Sequence, residues 1–256
     1  MNFYKQQHKY YCGIDLHARK MYVCILDGKG KTKVHKNIST DPELFFDLIF
    51  PYLEDIVVGV ECVFCWYWLA DLCAEHHIPF VLGHALYMKA VHGGKTKNDR
   101  IDSYTLVCLL RGGNFPLAYA YPAKWRATRD LLRRRMYIVR RSAELLAHIQ
   151  NTNTQYNLPA FKKKLSRKYN HDGIAEQFEN PSVRKSVETD LAIITALNQV
   201  LKPLEWHIEK SARAHDYHTL YLLRSIPGVG QILALVILYE IHKIKRFPTV
   251  QDFSSY

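Results

Sequence analysis

Short apolar segments separated by turn residues occupy the first half of the chain. Alternating β-branched and aromatic residues, or a continuous apolar run, predict strands here. The predicted strands are Tyr10–Asp15, Met21–Leu26, Lys31–Ile38, Ile56–Glu61 and Phe80–Leu82. Lys31–Ile38 is polar enough for a sheet edge, and helical patterns cover the residues after Asp41 and Trp66–His77. Strands arranged first as a meander and then alternating with helices indicate an α/β layer with a mixed sheet.

The second half of the chain has helical spacing instead. Apolar pairs recur every seven residues between Leu131 and Ile149, which predicts one long amphipathic helix. A second stripe, with apolar residues three and four positions apart, runs from Ile194 to Ile208. Pro203 lies inside this stripe, so we expect a kink or a break near Lys202. Residues 151–182 are polar and predict a connection with short helices, so the two long helices indicate an antiparallel hairpin or a coiled-coil arm.

Charge is distributed unevenly along the 256 residues. The chain has 35 Lys and Arg against 24 Asp and Glu, a net charge of +11, and its 48% hydrophobic content excludes a disordered or fibrous protein. Residues 1–122 have 13 basic and 12 acidic side chains, whereas residues 123–256 have 22 basic and 12 acidic. A nearly neutral half followed by a strongly basic half predicts a globular domain joined to a segment that binds a polyanion.

Several classes of protein are not indicated by the sequence. No apolar run is long enough for a membrane span, and the first residues lack the apolar core of a signal peptide. All six cysteines lie in the first half among apolar residues, which is typical of reduced, buried thiols. Cys62 and Cys65 form a CxxC motif without a matching second pair, which is only a weak indication of zinc.

Four carboxylates are the candidate chemistry of the first half. Asp15 and Glu61 each end a predicted strand, and Asp99 and Asp102 lie three residues apart on one face of a predicted helix. Oxygen ligands from several elements can hold the hard divalent cations that offset charge in phosphodiester cleavage. Each acid alone could be a helix cap or a solvated side chain. Their joint placement favours a metal site.

Two clusters of cations dominate the basic half. Residues 124–141 have eight basic side chains and one acid, and residues 161–168 add five more cations. A solvated helix face usually mixes the two signs, so this composition favours binding to phosphates over simple solvation.

Ile226–Gly230 has the sequence IPGVG between two apolar helical segments, which predicts a helix-hairpin-helix. Its glycines allow a tight turn, and amides at the start of the second helix can point at a phosphate. An ordinary helical hairpin without a ligand is the alternative. The residues that we predict to contact nucleic acid are Lys95, Lys97, Arg100, Arg126, Arg129, Arg133, Arg134, Arg140, Lys162, Lys163, Lys164, Gly228 and Gly230.

Three segments together resemble a known family. GIDLHARKMYVCILDGKGK, VGVECVFCWYWLAD and KTKNDRIDSYTLVCLL are similar to the DEDD transposases of the IS110 group of insertion sequences. The resemblance implies an RNase H-like, RuvC-type α/β domain in which the four acids, Asp15, Glu61, Asp99 and Asp102, are catalytic. It also implies that they bind two Mg²⁺ ions, with Mn²⁺ as an alternative. The family usually has Asp-Ala where this chain has Asp102-Ser103, a departure that retains the carboxylate.

The resemblance also implies a domain plan and a function. We expect an RNase H-like domain at 1–122, a basic helical arm at 123–213 and, at 214–256, the start of a transposase domain opened by the helix-hairpin-helix. The implied function is transposition by metal-dependent DNA cleavage and strand exchange, guided by an element-encoded RNA. A homodimer or homotetramer is expected in the prokaryotic cytoplasm, associated with the nucleoid when bound to DNA and without membrane contact.

The family's glycine-rich segment with its nucleophilic Ser-Gly does not occur before the chain ends at FPTVQDFSSY. Ser225, Ser254 and Ser255 do not match that motif, so we expect a C-terminally truncated copy. Two alternatives to a transposase stay open. One is a RuvC-like junction endonuclease that uses the acids alone, and the other is an inactive truncated copy that only binds nucleic acid.

Overall fold

The computed structural model describes residues 2–92, 98–161 and 163–256, which divide into two units, Met1–Ala123 and Lys124–Tyr256. The strands of the first unit are β1 (Phe3–Tyr4), β2 (Tyr10–Leu16), β3 (Lys20–Asp27), β4 (Thr32–Ser39), β5 (Ile56–Glu61), β6 (Phe80–Gly83) and β7 (Phe115–Pro116). Its helices are α1 (Pro42–Ile49), α2 (Tyr67–Glu75), α3 (Ala85–His92) and α4 (Asp99–Arg111). All five predicted strands are therefore present, with ends within two residues of the predicted ones.

Five strands form one sheet in the order β4-β3-β2-β5-β6. β4, β3 and β2 are antiparallel, whereas β2, β5 and β6 are parallel, so the predicted mixed sheet is confirmed. The polar β4 lies at an edge of the sheet, where its mostly exposed side chains can remain in contact with water. The apolar β5 lies between two strands and buries both of its faces.

Side chains of β2 alternate between two buried layers. Cys12, Ile14 and Leu16 join the core beneath α1 and α2. Tyr11 points to the opposite face, where Leu106 and Val107 of α4 cover the sheet. Because successive strand residues point to opposite faces, Asp15 shares its face with Tyr11 and therefore with α4. The sheet thus lies between two helical layers, and α4 covers the face with the first candidate acid.

The second unit is built on two long helices, α5 (Ala123–Gln155) and α6 (Pro181–Ser225). They are followed by α7 (Gln231–Val236), a π-helical segment (Ile237–Ile241) and α8 (Val250–Ser254). Near the start of α5, Arg135 pairs with Glu205 of α6 at 2.7 Å. Further along, His148 pairs with Asp190 at 2.5 Å. Partner numbers fall in α6 as they rise in α5, so the two helices are antiparallel.

The break in α6 does not lie where the sequence predicts it. α6 continues through Pro203, and the non-helical residue is Asp216, with φ −158° and ψ 82°. The Asp216 carboxylate accepts from the backbone nitrogen of Thr219 at 2.9 Å, which is the bond of a helix N-cap. Asp216 therefore ends one helix and begins another, and the expected break near Lys202 is wrong. A proline removes one backbone bond, and helix packing on both sides of Pro203 outweighs that loss.

An apolar cluster lies at each end of the pair formed by α5 and α6. Ile149 of α5 and Val187 of α6 pack with Leu165, Ile174 and Phe178, so the polar connection supplies its own small core. At the other end, a cluster contains residues from α5, both parts of α6, α7 and the π-helical segment: Leu132, Ile208, Ala212, Leu220, Ala234, Leu235, Leu238 and Tyr239. The predicted arm and the segment after residue 214 thus share one core.

None of the helices in the described part of the chain is both long and apolar enough to cross a bilayer.

Candidate functional site

Two of the candidate acids lie side by side at strand ends. β2 and β5 are parallel, and their register pairs Gly13 with Gly59 and Ile14 with Val60. One further step in this register places Asp15 opposite Glu61, the last residue of β5. Side chains opposite each other on neighbouring strands share a face. The carboxyl ends of parallel strands are also where α/β sheets place their ligand sites.

Helix α4 brings the other two acids to this face of the sheet. It crosses β2 so closely that a Cβ added at Gly13 would lie 2.4 Å from the backbone nitrogen of Val107. Asn98 caps the helix by accepting from the backbone nitrogen of Arg100 at 3.0 Å, so Asp99 and Asp102 lie in its first turn. The close approach fixes this turn over the strand ends.

His35 on the edge strand β4 anchors the same turn. Its Nε2 donates to the carbonyl oxygen of Arg100 at 2.9 Å, and the hydroxyl of Ser103 donates to that oxygen at 3.0 Å. The ring of His35 also contacts Tyr22 edge to face. Sequence reasoning missed His35, because a single histidine in a polar strand gives no sign of which helix it will meet.

Asp15, His17 and Asp99 form the closest cluster of ligand-type groups. His17 Nε2 donates to Asp15 Oδ2 at 3.2 Å and lies 3.9 Å from Asp99 Oδ1. One ligand atom from each of the three residues lies within 4.8 Å of the others. His17 was not predicted; it follows Asp15 by two residues and lies just beyond the end of β2, where no regular pattern indicates its direction.

The electrostatics of Asp15 reflect its position among other acids. Burial raises the pKa of its carboxyl, and the negative charges of Asp99 and Asp102 raise it further. His17 opposes this shift through its charge and its hydrogen bond. The sum is a raised pKa, so the folded protein bears a cost for holding Asp15 ionised. A nearby cation would remove that cost.

The donor set fits a divalent cation. Carboxylate oxygens are the ligands of Mg²⁺ and Mn²⁺, and an imidazole nitrogen suits transition metals such as Mn²⁺. Within the described residues, the Asp15 cluster is the one group of three or more such ligands close enough to share an ion. Cys65 of the CxxC motif instead directs its Sγ at the carbonyl oxygen of Leu16, at 3.7 Å.

Comparison with family models identifies the chain. A model of DEDD transposases of the IS110 type matches residues 12–158, and a model of the transposase IS116/IS110/IS902 family matches residues 220–256. The first match alone covers more than half of the chain. The chain belongs to the IS110 transposase family. No curated protein sequence matches it.

Membership of this family confirms the RNase H-like α/β class of the first unit, which the five-stranded mixed sheet fits. It also makes the chain a DNA transposase of an insertion sequence, an enzyme class that cleaves and recombines DNA. The first match begins within β2, just before Asp15, and extends to the end of α5. It therefore includes all four candidate acids.

The structure separates the predicted nucleic-acid contacts of this transposase into different groups. Six of the predicted cations have exposed side chains: Arg100, Arg133, Arg134, Arg140, Lys163 and Lys164. Lys95, Lys97 and Lys162 lie outside the described residues. Arg126 is only 7% exposed, and its predicted contact with nucleic acid stays a prediction. Helical spacing alone could not show this burial, because Arg126 is charged and lies outside the apolar stripe.

Arg129 and Arg133 are also engaged within the second unit. Both guanidinium groups bind the carboxylate of Glu240, at 2.7 Å for the nearest atoms of each pair. Arg129 is largely buried in this pair, and its predicted contact with nucleic acid stays a prediction. Arg133 keeps half of its side chain exposed. The pair of arginines joins α5 to the π-helical segment.

Replacing Glu240 by glutamine is expected to destabilise the second unit at neutral pH by about 2 kcal/mol, because two guanidinium groups lose their anion. Burial raises the pKa of Glu240, but hydrogen bonds and charge from Arg133 and Arg129 outweigh burial and lower it. A lowered pKa means that the stabilisation is present above the ordinary value of 4.5 and is lost as the pH falls below it. Urea unfolding between pH 3 and 7 should therefore show a flatter acid limb for the variant. Parallel curves for the two proteins would contradict this role.

The IPGVG turn joins the end of α6 to the start of α7. Gly228 has φ +84°, a left-handed conformation that favours glycine. Gly230 precedes α7 with φ −73° and ψ 174°, which any residue can adopt. A Cβ at either position would meet open space. The predicted need for glycine therefore holds for the backbone at Gly228 and not at Gly230.

Proposed function

We propose that this transposase cleaves and exchanges DNA strands with divalent cations held by Asp15, Glu61, Asp99 and Asp102, with His17 as a neighbouring ligand-type group. The observation that carries the proposal is the cluster of Asp15, His17 and Asp99, whose ligand atoms lie within 4.8 Å of one another. It lies on the side of the sheet covered by α4. Asp102, in the same first turn of α4 as Asp99, and Glu61, at the end of β5, support the proposal as further carboxylates, although the cluster itself contains neither.

The residues of the site prepare it in distinct ways. Asp15 is held in β2 by pairing with Tyr22 of β3, and Glu61 is held in β5 by pairing with Gly83 of β6, so the sheet fixes the backbone of both acids. Asp99 and Asp102 are held by α4, whose first turn is fixed by Asn98 and His35. A bound Mg²⁺ or Mn²⁺ ion would offset the negative charge that develops on a phosphodiester during cleavage. Arg100, exposed in the same turn, can bind a phosphate of the substrate.

Binding of the DNA itself is assigned to the basic second unit. Arg134 and Arg140 are exposed on α5, and Lys163 and Lys164 are exposed on the connection between the long helices. Tyr137 lies between the guanidinium groups of Arg134 and Arg141, 5.4 and 5.0 Å from its ring. Such a surface binds phosphates without reading bases. This fits a transposase whose targets are selected by an element-encoded guide RNA, working as a homo-oligomer that holds two duplexes.

Substitution of Glu61 by glutamine or Asp102 by asparagine is expected to lower Mg²⁺-dependent cleavage of DNA with the element's ends by roughly 100-fold or more, because each change removes a charged metal ligand. Cleavage can be followed with end-labelled DNA at a series of Mg²⁺ concentrations. The same two variants should require more Mg²⁺ or Mn²⁺ to raise the thermal unfolding temperature, since a ligand stabilises only the state that binds it.

Glu43→Gln and Asp47→Asn are the matched controls, because both acids are exposed on α1 and remote in sequence from the site. They should behave as the wild type in both assays. Cleavage that proceeds fully in a chelator, or a wild-type protein whose unfolding temperature ignores both metals, would contradict the metal proposal. Unchanged cleavage in both site variants would contradict the assignment of the residues.

A further inference from the structure

The break at Asp216 folds α6 back on itself. Arg224 Nη1 lies 3.4 Å from Glu209 Oε1, although the two residues are 15 positions apart. In a continuous helix, 15 residues span about 22 Å, which is more than these two side chains can bridge. The segment after Asp216 therefore turns sharply against the segment before it. We call the concave side of this turn the α6 corner.

An open cavity of about 430 Å³ lies at the α6 corner. It is lined by Arg213, Tyr217, Leu220, Tyr221, Arg224 and Ser225. Leu220 is buried and forms its floor, as part of the apolar cluster of the second unit. The remaining side chains stand around it. The corner is large enough for a nucleotide-sized ligand, since ligand sites are typically 300–1,000 Å³.

Two tyrosine rings stand exposed at this corner. Tyr217 is 61% exposed and Tyr221 is 62% exposed. Their rings are nearly parallel, with an angle of 23° between planes and 6.4 Å between centroids. Exposed aromatic faces of this kind are the surfaces on which unpaired bases stack in proteins that bind single strands.

Two arginines are held beside these rings by one carboxylate. Glu209 binds Arg213 at 2.6 Å and Arg224 at 3.4 Å, and it also accepts from the side chain of Gln231. About half of each arginine side chain stays exposed, whereas Glu209 is mostly covered. Because Arg213 and Arg224 share the single negative charge of Glu209, the corner retains positive charge. The same ion pairs hold both guanidinium groups in a fixed direction. Fixed guanidinium groups can bind phosphate oxygens in pairs.

We propose that the α6 corner binds an unpaired nucleotide of a single-stranded nucleic acid, with its base stacked on Tyr217 or Tyr221 and a flanking phosphate bound by Arg213 or Arg224. The proposal rests on the proposed function and deepens it, since strand exchange and base pairing with a guide RNA both expose unpaired bases. A duplex alone would not use these rings, because its bases are stacked on one another.

Binding of short oligothymidylate and oligouridylate to the purified chain tests the proposal, with fluorescence anisotropy as the measurement. Tyr217→Ala or Tyr221→Ala, whichever removes the ring that stacks the base, should weaken binding of single strands by roughly tenfold, the amount expected for one lost base stack. The slope of log affinity against log salt concentration should stay unchanged. Arg224→Gln should instead reduce that slope by about 0.7, the value of one phosphate contact on a single strand.

Three controls separate stacking from folding and from charge. An abasic strand of equal length and charge should bind the wild type and both tyrosine variants equally, because it has no base to stack. Tyr221→Phe keeps the ring and should retain wild-type affinity. Phe50→Ala removes an aromatic side chain that is 64% exposed in the first unit, and it should leave binding unchanged.

The outcomes distinguish this inference from the proposed function. If the wild type binds one of the two strands, DNA or RNA, more tightly than the other, and a tyrosine variant loses this difference, the result supports the proposal. It also shows whether the unpaired base comes from DNA or from RNA. Unchanged affinity for single strands in both tyrosine variants overturns the proposal. A change of oligomeric state in the variants, seen by sedimentation without a change in strand binding, also overturns it. A wild type that binds no duplex and responds to no metal would overturn the proposed function instead.

Discussion

Asp15→Asn is expected to lower metal-dependent DNA cleavage by roughly 1000-fold while making the metal-free protein slightly more stable. The two effects have one cause. Asp15 is partly buried and lies near the charges of Asp99 and Asp102, so its pKa is raised. The folded protein therefore binds this proton more tightly than the unfolded chain does. At neutral pH the ionised carboxylate destabilises the fold, and asparagine removes that charge in nearly the same volume.

Thermal unfolding in a chelator should show an increase of about 2–4 °C for Asp15→Asn, the shift expected for a gain near 1 kcal/mol in a protein of this size. With Mg²⁺ or Mn²⁺ the order should reverse, because the wild type gains stability from the ion and the variant does not. Asp47→Asn on α1 is the control and should shift neither curve. A variant that is less stable than the wild type in the chelator would show that Asp15 supports the fold through its own bonds.

Local sequence patterns predict part of the site, and contacts between distant residues account for the rest. The strands and the first-turn position of Asp99 and Asp102 follow from local patterns, which is why their predicted and observed ends nearly agree. The contact of His35 with Arg100 joins residues 65 positions apart. This contact depends on where α4 crosses the sheet, and a local sequence pattern cannot predict it. His17 lies just after the end of β2, so alternation along the strand does not place it, and its hydrogen bond to Asp15 appears only in the folded structure.

The second unit shows a different limit of sequence reasoning. Its long helices follow from apolar spacing, but the position of the break in α6 does not. Pro203 is the strongest helix-breaking residue in that stretch, yet it lies inside continuous helix, and the break lies at Asp216. Asp216 can end a helix because its carboxylate caps the next one. Charge alone predicts a nucleic-acid contact for Arg126 and Arg129, and only the folded structure shows that Arg126 is buried and that Arg129 pairs with Glu240.

Gly13→Ala is expected to destabilise the first unit by at least about 3 kcal/mol and to weaken metal binding together with the fold. The added methyl group would lie 2.4 Å from the backbone nitrogen of Val107 and 2.8 Å from the carbonyl oxygen of Ser103. Both are backbone atoms of α4, so no side chain can move aside to relieve the overlap. The helix must instead shift away from β2, and Asp99 and Asp102 would shift with it.

Gly28→Ala is the matched control for Gly13→Ala, because a Cβ at Gly28 would meet its nearest atom at 3.6 Å, an ordinary contact. Its stability should stay within about 1 kcal/mol of the wild type, since loss of a glycine mainly reduces the entropy of the unfolded chain. Urea unfolding of the three proteins measures the difference, and titration with Mn²⁺ at low urea measures the site. If Gly13→Ala were as stable as Gly28→Ala, α4 would not rest on β2 closely enough to set the positions of its acids. If it were destabilised but bound Mn²⁺ normally, the acids would be positioned by Asn98 and His35 alone.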